Sequence, residues 1–210
     1  IFKWSDNRTI PGYILVNVTD GTAKFVESEI RYSTSNYFGT NVTRMVRNSF
    51  PSVLFDKNPA LEIDEEGTPY WVYSVKKITA GLFSGTDFDG VILVNANTGD
   101  MERYTASNVP EWVDHAVNGD LMIIQLDWNG KYKNGFGNSL FTQKDCTTTT
   151  SGYGYILGDN DIYLYTGITS VVTDESNIGF ALVNMRTSEI KYIEYPSAEE
   201  YSAMSTAEGK

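Results

Sequence analysis

Chemistry at a protein site needs a nucleophile, a base or a set of metal ligands, and this chain holds few of them. It has one histidine, His115, and one cysteine, Cys146. A serine-hydrolase arrangement would place His115 between a nucleophile and a carboxylate. The adjacent Asp114 is poorly placed for that, because neighbours along a helix point about 100° apart. No Gly-x-Ser-x-Gly elbow is present. His115 therefore reads as a helix-surface or satisfied core residue. Cys146 follows Lys144-Asp145 in a segment read as a loop, with no helix N-terminus to depress its pKa. A single cysteine excludes an internal disulfide and a multi-Cys zinc site, and a single histidine excludes a His-rich metal site. No catalytic residue is assigned.

Carboxylates are plentiful, and the clusters Glu62/Asp64/Glu65/Glu66, Asp87/Asp89 and Asp159/Asp161 all fall at expected strand turns. A glycosidase needs two carboxyls about 5 to 9 Å apart in a cleft, and turns on separate segments need not converge. Asp87, Asp89, Asp159 and Asp161 are the candidate ligands for weak Ca²⁺ binding. None lies in an Asp-x-Asp-x-Asp-Gly loop closed by Glu, so solvated turns are the preferred reading and no cofactor is expected. The aromatic residues are the more informative excess. Tyr70, Trp71, Tyr73, Tyr153, Tyr155, Tyr163 and Tyr165 lie on expected strands, and alternation puts Tyr163 and Tyr165 on one face with Ile162 and Leu164 on the other. Tyr70, Trp71, Tyr73, Tyr163, Tyr165 and Trp128 are the candidate contacts for a peptide or glycan. A glycan-binding groove would expose Trp71, Trp112 or Trp128. The pairs Gly135-Phe-Gly137 and Gly152-Tyr-Gly154 lack the rest of a nucleotide fingerprint.

Composition narrows the partners. The 210 residues carry 16 Lys+Arg against 27 Asp+Glu, a net charge of −11, which argues against nucleic acid or an anionic membrane surface. Hydrophobic residues at 41% suffice for a core. No apolar run reaches the roughly 18 to 20 residues that cross a bilayer. The first residue is Ile1, and the chain is expected to be a segment of something longer.

The elements that must position these residues are marked by a recurring motif: Gly12-Tyr-Ile-Leu-Val-Asn17, Gly90-Val-Ile-Leu-Val-Asn95 and Gly179-Phe-Ala-Leu-Val-Asn184. Each leads into a polar turn (Thr19-Asp-Gly21, Asn97-Thr-Gly99, Arg186-Thr-Ser188) and then an alternating stretch, which predicts a hairpin three times over. An aromatic strand precedes the second and third copies (Pro69–Val75 and Asp161–Thr166), itself preceded by a short strand. Helices are predicted over about 35 to 50, from about 109 after Asn108-Val-Pro-Glu111, and from the capping box Ser197-Ala-Glu-Glu200. Leu121–Trp128 fits helix or strand equally, and Thr147–Thr150 reads as a loop or edge. The resulting fold class is α+β, in tandem units of one helix packed on a mainly antiparallel four-stranded sheet. The first unit covers residues 1–107, the second 108–210.

A helix followed by such strands, with the apolar strand and turn Val94-Asn-Ala-Asn-Thr-Gly-Asp-Met101, resembles the PepSY-type domains of bacterial cell-envelope proteins. The match is specific at Asn95–Gly99 and looser at Asn184–Ser188, where Ser188 stands in place of Gly. Asp56–Tyr73, Val109–Trp128 and Thr173–Ala207 are similar to an uncharacterised family of large membrane-anchored Firmicutes proteins, through Glu62-Ile-Asp-Glu-Glu-Gly67, Pro110-Glu-Trp-Val-Asp114 and Ser202–Gly209. The resemblance implies a non-catalytic, extracytoplasmic structural or protein-binding domain of a larger membrane-anchored protein. Its partner would be a protein or peptide of the cell envelope, and its membrane attachment would come only through segments outside this chain. PepSY-type domains are proposed to bind or inhibit peptidases, so a peptidase-inhibitor-like peptide-binding module is the first alternative. A glycan-binding module or a hydrolase follows.

Overall fold

The computed structural model describes residues 9–17, 20–79, 85–158, 161–172 and 176–198. The chain divides into two compact units, Ile1–Lys77 with Phe88–Ala116, and Ile78–Asp87 with Val117–Lys210. The expectation of tandem units, each a helix on a four-stranded sheet, is overturned. The protein is mostly β, with 45% strand against 18% helix, and has three sheets and three α-helices among the described residues.

The first sheet is the hairpin of β1 (Ile10–Val16) and β2 (Ala23–Ile30) alone. The second contains β3 (Leu54–Phe55), β4 (Ala60–Ile63), β5 (Pro69–Ile78), β6 (Thr86–Asn95) and β7 (Met101–Thr105), in the order β3-β5-β6-β7 with β4 also on β5. It has five strands rather than four because two short strands share one edge: β3 pairs with Val75 and Lys76, and β4 with residues 69–72. Its helical cover is short. A 3₁₀ turn occupies Phe38–Thr40, so α1 spans only Val42–Ser49, started by Asn41, whose Oδ1 accepts from the Arg44 N–H at 2.9 Å. Val42 and Val46, one turn apart, press on Phe55, Tyr73, Val75, Ile92 and Val94, and this apolar cluster is the core of the unit.

The stretch expected to be helical from about 109 forms turns instead, with Val113 N–H bonded to Pro110 C=O. The helix of the second unit begins ten residues later. This is α2 (Gly119–Tyr132), capped by Asn118 Oδ1 on the N–H groups of Asp120 and Leu121, so Leu121–Trp128 is helix. After the short α3 (Phe136–Phe141) come β8 (Thr147–Thr149), β9 (Gly154–Gly158), β10 (Asp161–Ser170), β11 (Ser176–Asn184) and β12 (Ile190–Ala198). Their sheet runs β12-β11-β10-β8, with β9 also on β10. The threonine run is held to α2 by one carboxylate, since Asp127 Oδ1 accepts from Thr148 Oγ1, Thr149 N and Thr149 Oγ1. The helix expected to open at Ser197 falls, from Glu199 on, outside the described residues. Ser197 itself pairs with Asn177 inside β12.

The three Gly…Asn segments are β1, the second half of β6 and the second half of β11, and they close the same turn. Asn17, Asn95 and Asn184 each donate N–H to the C=O five residues on, and each accepts from the N–H four residues on. That fourth residue is left-handed in every case: Gly21 (φ 71°), Gly99 (φ 82°) and Ser188 (φ 61°). Asn95 and Asn184 also accept, through Oδ1, from the backbone N–H groups two and three residues on. At the other end of each segment, a Cβ on Gly12, Gly90 or Gly179 would collide with a carbonyl of the partner strand, Val26, Tyr104 or Ile193.

Candidate functional site

In the first unit the sheet and the 110–115 turns enclose a recess of about 500 Å³ lined by Tyr70, Asn95, Tyr104 and Trp112 with Asp64, Asp100 and Glu102. Strand order explains how it forms. Tyr70, Asn95 and Tyr104 come from neighbouring strands β5, β6 and β7, and Trp112 arrives from the turn that follows β7. The Trp112 ring lies 5.1 Å from Tyr70, centroid to centroid, tilted by 44°. Asn95 Nδ2 donates to the Tyr70 hydroxyl at 3.4 Å.

Glu62 holds this turn in place. It sits opposite Tyr70 in the β4–β5 ladder, and its carboxylate accepts from the N–H groups of Asp114 (2.9 Å) and His115 (2.8 Å). Trp112 is two residues upstream of that clamp. Burial raises the Glu62 pKa to about 7 against the two backbone bonds, which lower it, and the nearby Asp114 charge raises it further. Burial also lowers the His115 pKa. At the rim, Tyr104 donates its hydroxyl to Glu102 Oε2 at 2.6 Å, and that bond, more than burial, pushes the phenol up to about 12. Asp64 Oδ1 accepts from the N–H groups of Glu66 and Thr68, and Asp100 Oδ2 from the Thr98 hydroxyl. The carboxylates facing the recess are thus fixed acceptors, and its lining includes no histidine, cysteine, serine or lysine. The arrangement presents two aromatic faces beside carboxylate oxygens, which suits a cationic or hydroxylated group.

The other candidate residues disperse. Tyr73 is fully buried in the core, its hydroxyl bonded to that of Thr43, and burial pushes its pKa to about 12. Trp71 is half-buried and donates Nε1–H to the Tyr32 C=O. In the second unit Trp128 and Tyr163 are half-buried, while Tyr165 is exposed and covers Gly154. Asp87 Oδ1 accepts from Gln125 Nε2, and Asp89 pairs with Arg103 and Lys77. Asp161 is buried and gripped at both oxygens by Arg186, with Asn184 Nδ2 added, and the Arg186 bond leads in holding its pKa low. Asp159 lies outside the described residues. No group of three or more His, Cys, Asp or Glu side chains that could hold a metal comes together among the described residues. Sequence reasoning reached Tyr70 and named Trp112 as a glycan contact. It missed Glu62 as a clamp and Tyr104 as a wall, because both act across strands far apart in the chain. A separate groove of about 370 Å³ in the second unit, lined by Gly130, Thr147, Ile168, Phe180 and Tyr192, contains none of the candidates.

Comparison of the chain with protein-family models, with curated proteins and with solved structures finds no match.

Proposed function

We propose that the chain is a non-catalytic binding domain whose Tyr70–Trp112 recess takes a basic side chain of a protein or peptide partner. The observation that carries this reading is the aromatic pair set beside carboxylates that are already committed as hydrogen-bond acceptors. A cation over such faces gains attraction from the rings and from the acidic rim together. The setting we propose is the outer side of a bacterial membrane, within a larger anchored protein, as the PepSY-type resemblance of Val94–Met101 implies. A glycan is the second reading, favoured by the same Trp112 ring, on which a sugar would stack.

Amide-resolved NMR separates these. N-acetyl-lysine amide, N-acetyl-norleucine amide and a chito-oligosaccharide are each titrated into the whole chain and into Trp112→Ala. The lysine probe is expected to shift Tyr70, Asn95 and Trp112 resonances, and norleucine not to, with the response lost in W112A. Saccharide shifts at the same residues would favour the glycan. Silence with all three probes would overturn the binding role of the recess.

A further inference from the structure

The three Gly…Asn segments carry the same residue types into different surroundings. Ile92 and Val94 of β6 are 0% exposed and Leu93 is 4%, and the matching Ala181 and Val183 of β11 are 0%. In β1 the matching Ile14, Leu15 and Val16 are 66%, 47% and 56% exposed, and Phe25 across the hairpin is 53%. A two-stranded ribbon with open apolar faces is marginal in water by itself. What buries the other two segments includes a strand on the far edge, β5 beside β6 and β10 beside β11. Among the described residues β1 pairs with β2 alone.

We propose that the free edge of β1 is a docking edge for an extended segment of a partner protein in which aromatic and aliphatic residues alternate, as they do along Ile162–Tyr165. The two filled copies supply the chemistry of the occupant. In the β10–β11 ladder Tyr163 faces Asn184, Thr166 faces Ala181 and Ile168 faces Gly179. The same register on β1 sets the incoming strand opposite Asn17, Ile14 and Gly12. Main-chain bonds would give the affinity and the alternating side chains the selectivity. Two other edge strands differ from it, while the short β3, β8 and β9 are as free of charge as β1. β7 carries Glu102 and Arg103, and β12 carries Lys191 and Glu194, the charges that commonly guard an edge against pairing. β1 carries no charged residue, and only Pro11 near its start blunts it. This surface is separate from the Tyr70–Trp112 recess, and the two proposals stand or fall independently.

The probe is a fluorescein-labelled peptide with the sequence of residues 161–170, read by anisotropy against the whole chain, with a scrambled peptide that breaks the alternation as control. Saturable binding is expected for the first peptide only, together with new amide-exchange protection at residues 12–16. Ile14→Lys with Val16→Lys should weaken binding at least tenfold, with the thermal melt unchanged. Equal binding of the scrambled peptide, no binding, or protection elsewhere in the chain would overturn the proposal. So would a dimer of the chain that protects β1 without peptide, since a second copy would then be the occupant.

Discussion

In β6 the residues Ile92 and Val94 lie under Val42 and Val46 of α1, whereas the corresponding Ile14 and Val16 of β1 stand open to water. The hairpins around them nonetheless share the asparagine at the strand end, the left-handed fourth residue and the glycine under a partner carbonyl. Turn geometry here is therefore a property of five or six neighbouring residues. Burial is conferred by whatever packs on the strand afterwards. The two hairpins separate those contributions as a designed pair would.

The largest contrast is expected at the glycines. Gly90→Ala places a Cβ against the Tyr104 carbonyl at a backbone φ of 122°, and should lower first-unit stability by about 4 kcal/mol in urea unfolding. Gly12→Ala meets the Val26 carbonyl in the same way, but its hairpin can open locally, and a loss below about 1 kcal/mol is expected. Equal losses would mean that the β1–β2 ribbon belongs to the same cooperative core. Ile92→Ala should cost about 3 kcal/mol and Ile14→Ala about 0.5 kcal/mol or less, checked by the same denaturation curves.

The clamp on the recess gives the next effect. Glu62→Gln replaces one acceptor oxygen with a donor facing a backbone N–H, for a loss of about 2 kcal/mol. The pH profile is more diagnostic. Because the fold raises this pKa from 4.5 to about 7, the stability Glu62 contributes is complete below about pH 4.5 and is lost as pH rises through about 7. His115 has the opposite sign: with its pKa lowered from 6.5, stability is lost as pH falls below 6.5. Melting temperatures between pH 4.5 and 7.5 should therefore lose their downward component in E62Q and rise with pH. An unchanged profile would show that Glu62 is not the titrating group.

The smallest contrast lies in the turns. Ser188→Gly relieves a side chain at φ 61° and should stabilise the second unit by about 0.5 to 1 kcal/mol. Gly99→Ser, the reverse exchange in the matched turn, should destabilise, since a Cβ there meets the Tyr32 ring at 2.7 Å. A melt showing S188G neutral would argue that the second-unit turn is held by Asn184 alone.

These differences also mark what the sequence could convey. Glycine, asparagine and the alternating strands announced the hairpins because the causes are local. The stretch 109–117 satisfied the syntax of a helix start and formed turns, with two of its N–H groups taken by Glu62, more than fifty residues away. The expected units of one helix on a four-stranded sheet failed for a related reason. α1 is only eight residues long, and short strands crowded onto β5 and β10 in place of further helix. At the recess, Tyr70 was visible as one of a strand's aromatics. Its partnership with Trp112 depends on which strands neighbour each other, and no spacing along the chain encodes that.

Cys146 is 2% exposed, its thiol directed at the Lys131 carbonyl at 3.3 Å. As the chain's single cysteine it serves as a built-in clock for the second unit. An alkylating reagent would react there only during excursions that part α3 and β8 from α2, so the labelling rate counts those excursions without any engineered tag. A reporter cysteine added at exposed Lys24 would run at the solvent rate beside it, and the ratio of the two would give the frequency of opening directly.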